Sequence, residues 1–110
     1  MAGRYTRTVV DLGTGDGAAV LRAARTNPSA LVIGVDTDAS RLREPSHRAN
    51  QPARKGGLPN AVFLVADASV ALAAMRGRVH ELRITLPWGS LLRLVLDGER
   101  EFAEAVAGSL

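Results

Sequence analysis

Asp11, Leu12, Gly13, Thr14, Gly15, Asp16 and Gly17 stand in a row between two very different segments. Before them, Thr8, Val9 and Val10 make a short β-branched run that reads as a buried strand. After them, 16–25 carries alanines with Val20 and Leu21 and reads as a helix, which Asn27 and Pro28 end. A strand that enters a helix through three closely spaced glycines has few solutions. The backbone must turn with positive φ, and the missing side chains let a ligand approach the main chain. The helix start behind the glycines offers free N–H groups to an anion.

The rest of the chain repeats the alternation. Leu31, Val32, Ile33, Gly34 and Val35 read as a second strand closing at Asp36, and 61–66 reads as a third. Residues 81–86 read as a fourth strand, stopped by Pro87. Between them, 39–44 starts a helix that Pro45 is expected to break early, because proline has no donor. Residues 51–60, with Pro52, Gly56, Gly57 and Pro59, read as a loop. Residues 69–75 are alanine-rich and read as a helix stopped by Gly77, and 99–107 reads as a last helix. Apolar strands alternating with helices imply an α/β fold: a doubly wound, Rossmann-like, mostly parallel sheet covered on both faces. The 110 residues suffice for one domain with a modest core. Ligands in such a sheet bind at the carboxyl ends of its strands. Here those ends carry residues 13–17, Asp36, Asp67 and the Pro87–Trp88 pair.

Asp36 lies 21 residues after Gly15. A carboxylate there can accept hydrogen bonds from both hydroxyls of an adenosine ribose. Gly13, Gly15 and Ala18 also fit the G-x-G-x-x-A pattern of a nicotinamide dinucleotide site. Asp11 weighs against that ligand, since it would set a carboxylate near a pyrophosphate. Gly17 adds a third close glycine.

Composition narrows the classes further. The absence of cysteine excludes a disulfide framework and any thiolate metal site. His47 and His80 are isolated, so no metal site is expected. No apolar stretch approaches the roughly 20 residues that span a bilayer, and no signal peptide is visible, so a cytoplasmic protein is expected. The formal net charge is +3. It is uneven: residues 41–56 hold Arg41, Arg43, Arg48, Arg54 and Lys55 against Glu44 alone. Arginine's planar fork suits phosphate oxygens, so this segment is a candidate RNA-backbone contact.

The pattern D-x-G-x-G-x-G resembles the first motif of S-adenosylmethionine-dependent methyltransferases. The whole chain is similar to the N-terminal half of the aminoglycoside-resistance 16S rRNA (adenine(1408)-N(1))-methyltransferases. The residues that carry this resemblance are 11–17, then 32–36, then 52–60 (Pro-Ala-Arg-Lys-Gly-Gly-Leu-Pro-Asn), and finally 86–92 (Leu-Pro-Trp-Gly-Ser-Leu-Leu). By resemblance, Asp11, Gly13 and Gly15 surround the methionine part of S-adenosyl-L-methionine and Asp36 binds its ribose. Ala66, Asp67 and Ala68 line the adenine. Trp88 matches a tryptophan that stacks on the target base. Arg48, Arg54 and Lys55 match a segment that grips 16S rRNA in the small ribosomal subunit.

Several features depart from that family. The chain covers about half of a family member, so the sheet is expected to stop after its fourth strand, leaving an open edge that could pair with a second copy. Ser69 stands where relatives usually carry a glutamate, and Pro45 interrupts the helix before the basic segment. The chain is therefore expected to be a truncated or degenerate member, inactive as it stands, that binds S-adenosylmethionine weakly or not at all. Two alternatives stay open: a methyltransferase acting on tRNA or a small molecule, and a non-catalytic module that binds an adenosine ligand or RNA.

Overall fold

The computed structural model describes residues 5–85 and 91–96. Five strands form one sheet in the order β3-β2-β1-β4-β5. They are β1 (Arg7–Leu12), β2 (Ala30–Asp36), β3 (Ala61–Val65), β4 (Glu81–Thr85) and β5 (Leu91–Val95). The first four are parallel, and β5 runs antiparallel to β4. Three helices connect them: α1 (Ala18–Thr26), α2 (Ala39–Ala49) and α3 (Ala68–Ala74).

β1 and β2 lie inside the sheet, and the apolar residues on both faces of each strand follow from burial on both sides, with Asp11 as the buried exception. On one face Val9, Val32 and Ala61 pack with Val20, Leu21 and Ala24 of α1 and Ala49 of α2. On the other, Val10, Leu12, Ile33, Val35 and Leu82 pack with Ala71 and Leu72 of α3. Asn60 ties these parts together. Its buried side-chain amide donates to the carbonyls of Ala24, Asn27 and Ala30 at 2.9, 3.1 and 2.9 Å. The end of α1, the turn after it and the start of β2 therefore share one clamp.

Two expectations are corrected. Pro45 does not end its helix: α2 continues to Ala49. Proline removes one hydrogen bond, the one to the Arg41 carbonyl, but its ring is buried and packs where it matters. A Cβ on Gly17 would come within 2.7 Å of the Pro45 ring and 2.8 Å of Phe63. Glycine at 17 thus makes room for proline at 45, and tertiary packing outweighs the local penalty.

The second correction concerns the sheet edge. The fourth strand is not open, because β5 pairs along all of it, from Thr85 opposite Leu91 to Glu81 opposite Val95. The sequence signal was the nearly continuous apolar run 91–96. The edges of the described sheet are β3 and β5. The expected last helix, 99–107, lies outside the described residues.

Candidate functional site

β1 and β2 end side by side, with Leu12 opposite Val35. The chain leaving β1 is stitched to the end of β2: Gly13 and Thr14 both donate N–H to the Val35 carbonyl, at 2.8 and 3.2 Å. Gly13, Gly15 and Gly17 then turn with φ of +71°, +61° and +75°. A side chain rarely adopts that region, which is why the turn uses glycine. The three have different surroundings. A Cβ at Gly15 would meet nothing within 4 Å, so its backbone faces open space. Gly17 instead faces Pro45 and Phe63 and serves packing.

Asp36 is half-buried at the mouth of this turn. Its Oδ2 accepts the Gly15 N–H at 3.0 Å, and its Oδ1 accepts the Asp38 N–H at 3.0 Å. These bonds fix the carboxylate's position. A carboxylate has about four acceptor sites, so room remains for two hydroxyl donors.

Asp11 is held differently. It is only 3% exposed. Thr14 Oγ1 donates to its Oδ2 at 3.2 Å. Its Oδ1 is buried and has no donor among the described residues. Burial pushes the Asp11 carboxyl above its ordinary value, partly offset by the Thr14 hydrogen bond and the charge of Arg83. A buried acceptor with no partner is rare and calls for an explanation, such as a ligand that supplies the donor.

The expectation of free N–H groups at the start of α1 is narrowed, because some of them are already taken. Ala18 N–H donates to Asp16 Oδ1 at 3.0 Å, and Gly17 N–H to the Thr14 carbonyl at 3.1 Å. Gly15 N–H is taken by Asp36. Carboxylates thus take two of the donors a pyrophosphate would use, those of Gly15 and Ala18. Asp11, Asp16 and Asp36 make this turn acidic. Such a site suits a ligand with a cationic group and hydroxyls, and it opposes a dinucleotide. Thr14 and Asp16, which fix the carboxylates and the loop, were missing from the sequence-based site; both lie inside the glycine motif.

Ala66 continues from β3 beside this end, donating its N–H to the Asp36 carbonyl at 3.0 Å. Ala66 and Ala68 pack against the core on the α3 side. Asp67 is exposed and caps α3: its Oδ1 accepts the Ser69 N–H at 2.9 Å and the Ser69 hydroxyl at 2.6 Å. Those bonds hold its pKa below the ordinary value. Ser69 thus helps start α3.

Arg48 and Lys55 meet at one groove between α1 and the 51–58 loop. Arg54 is exposed on the same turn as Lys55, outside the groove lining. Trp88 lies outside the described residues. Among the described residues no group of three His, Cys, Asp or Glu could hold a metal ion, and no helix is long and apolar enough to cross a membrane.

A mostly parallel sheet with helices on both faces, a glycine turn after β1 and a carboxylate closing β2 define the Rossmann-like fold of methyltransferases. Within that class the chain belongs to the 16S rRNA (adenine(1408)-N(1))-methyltransferase family, NpmA, whose profile matches residues 1–109. It is 44% identical over 104 residues to the 16S rRNA (adenine(1408)-N(1))-methyltransferase of Streptoalloteichus tenebrarius, covering 94% of this chain and 47% of that protein. Among solved structures it resembles the antibiotic-resistance methyltransferase Kmr, with a TM-score of 0.74 and 39% identity over 79% of this chain and 45% of Kmr. It also resembles a tryptophan-to-alanine mutant of the enzyme from Catenulisporales acidiphilia, solved with its cosubstrate SAM. There the TM-score is 0.73 and the identity 36%, over 81% of this chain and 43% of that one. The chain spans about half the length of the curated relatives it matches.

Proposed function

We propose that this chain binds S-adenosylmethionine at the carboxyl ends of β1 and β2 and serves methylation of adenine 1408, at N1, in 16S rRNA. The observation that carries the reading is the buried Oδ1 of Asp11, without a donor among the described residues, beside an open backbone turn and the fixed carboxylate of Asp36. Asp11 would accept from the α-ammonium of the methionine part, and Asp36 from the ribose hydroxyls. Ala66 and Ala68 would border the adenine, and Asp67 would do so through its backbone. When bound, S-adenosylmethionine supplies an electrophilic methyl group.

The residues of the chain then have a positioning task. Adenine N1 keeps a free lone pair at neutral pH, so no strong general base is needed. Rate enhancement comes from holding the acceptor in line. The base must leave its stack, and Trp88 is proposed as the aromatic surface that receives it. An indole face also favours the cationic character of the N1-methylated product. Arg48, Arg54 and Lys55 would hold phosphates, which positions the RNA and reads no bases. Because the substrate is the small ribosomal subunit, the protein would work in the cytoplasm.

Calorimetric titration of S-adenosylmethionine into the chain, with Asp36→Ala in parallel, tests the first half of the reading. Binding that weakens by tenfold or more in the variant is expected. Absence of binding by a cooperatively folded chain overturns it. Methyl transfer to purified small subunits tests the second half. Transfer to free tRNA instead of subunits would overturn the substrate assignment. Binding without any transfer would reduce the chain to a cofactor-binding half.

A further inference from the structure

We propose that α1 contributes a wall to the RNA-binding surface: Arg22 and Arg25, together with Arg48 and Lys55, form a groove that seats consecutive phosphodiester groups of the RNA strand. The inference rests on the RNA reading above and adds residues that lie outside the basic segment.

The groove has a volume of about 420 Å³ between α1 and the 51–58 loop. Four cations line it, Arg22, Arg25, Arg48 and Lys55, and none of its lining residues is acidic. No ion pair among the described residues involves any of these four. Among the described residues Arg7, Arg83 and Arg93 pair with Glu81, and Arg41 with Asp38; Arg43, Arg54 and Arg78 are also without an ion pair but do not line a common hollow. Four unpaired like charges around one hollow repel one another, and an anion in the hollow relieves that repulsion.

Both walls are rigid. Arg22 and Arg25 are three residues apart, so they project from one face of α1. The opposite face, with Val20, Leu21 and Ala24, is buried against the sheet. No acidic residue occurs from 17 to 35, so neither arginine has a local partner. On the other wall, Lys55 sits in a 3-10 turn (Ala53–Lys55) closed by its own backbone. Lys55 and Gly57 donate N–H to the Pro52 carbonyl at 2.8 and 3.1 Å, and Leu58 donates to Ala49 at 2.9 Å. At Gly57 a Cβ would collide with the Gln51 carbonyl, so the turn closes only with glycine there. The backbone that carries the four cations is therefore fixed, and only their side chains must be ordered on binding.

A strand of RNA fits this charge pattern better than one small anion. Arginine forks match phosphate oxygens in pairs, and four cations exceed what one phosphate neutralises. The groove also adjoins a second hollow, with Ala18 and Arg48 lining both. That second hollow holds Asp16 and Glu44 beside Arg41, and it borders the glycine turn. Its carboxylates would repel a backbone phosphate. Phosphates are therefore retained in the first groove, one step away from the cofactor end.

The test is equilibrium binding of the purified chain to small ribosomal subunits over a series of KCl concentrations. Arg22→Ala/Arg25→Ala is compared with the parent and with Arg78→Ala, a control at an exposed arginine on the turn before β4. The double variant is expected to bind on the order of tenfold more weakly. Its plot of log affinity against log salt should be shallower by about 1–2, since each neutralised phosphate contributes roughly 0.7–0.9 to the slope. Arg22→Lys/Arg25→Lys should restore most of the slope. S-adenosylmethionine affinity and the thermal midpoint should stay unchanged, showing that fold and cofactor end are intact. Equal affinity and slope in parent and double variant would overturn the groove assignment while leaving the RNA reading standing. So would a loss in Arg78→Ala of about half the double variant's in log affinity, which would reduce the effect to one net charge per arginine removed. A parent chain that binds no subunits at any salt would overturn both.

Discussion

Asp11 and Glu81 are buried carboxylates on one face of the sheet, on neighbouring strands. Their settings are opposite. Glu81 opens β4 and is 1% exposed. Three guanidinium groups reach it: Arg7 at 2.6 Å, Arg83 at 2.6 Å and Arg93 at 3.0 Å. Burial alone would raise its pKa, but the bonds from Arg93, Arg83 and Arg7 bring it down to about 2. Asp11, near the end of β1, has one hydroxyl donor and a bare oxygen, and its pKa is raised. Satisfying a buried charge makes it part of the structure. Leaving one unsatisfied among the described residues stores a demand that a ligand can meet.

Removing each carboxylate should break the comparison most sharply. Glu81→Ala strands three guanidinium groups around a buried hole. Loss of one partner in a buried ionic cluster costs about 3–5 kcal/mol. The low end, about 3 kcal/mol, is expected because Arg7 and Arg93 are 42% and 57% exposed and can turn to water. Urea denaturation measures it. An unchanged midpoint would mean that the cluster contributes nothing to the fold.

Asp11→Asn should do the reverse. It removes a destabilised charge, so stability should hold or rise slightly. S-adenosylmethionine affinity should fall by about 10- to 100-fold, the loss of one hydrogen bond to a charged group (about 1.5–3 kcal/mol). Calorimetry on the same sample checks both. A stable variant that binds as tightly as the parent would remove Asp11 from the site.

This contrast was only half legible in the sequence. Spacing located the glycine turn and Asp36, because a strand-to-helix turn dictates local residue types, and the resemblance of the motif added Asp11. Asp11's bare oxygen was invisible, since it depends on what lies across the sheet. Pro45 was misread because a missing donor is a local fact, whereas its seat over Gly17 and beside Phe63 is tertiary. β5 was missed because Leu91, Leu92, Leu94 and Val95 break the alternation of a half-buried strand. Arg22 and Arg25 carry no distinguishing signal in the sequence. Only the fold brings them opposite Lys55.

A smaller change should sharpen the account of Asp11. Thr14→Val deletes the only hydrogen-bond donor to its carboxylate among the described residues and keeps the side chain's shape. The pKa of Asp11 should rise further. Affinity for S-adenosylmethionine should fall about fivefold, the worth of one hydrogen bond of about 1 kcal/mol. An affinity equal to the parent's would mean that Thr14 positions nothing the ligand uses.

The mildest expected effect is a pH dependence, and it separates the two carboxylates without any mutation. A cationic ligand prefers ionised Asp11. Affinity should therefore be flat at higher pH and fall as pH drops through the raised pKa of Asp11, by at most tenfold per unit for one proton. The stability of the free protein should move the other way through Asp11: protonation relieves the buried charge, so this penalty fades as pH falls toward 3.8. Glu81 behaves as an ordinary lowered carboxylate. Its contribution is complete above 4.5 and is lost as pH falls through about 2. Above pH 4.5 the Glu81 cluster is therefore constant, and a fall in affinity there belongs to the cofactor end. Asp11→Asn should flatten the binding profile. A profile that keeps its slope in Asp11→Asn would assign the proton to another group and separate the buried oxygen from ligand binding.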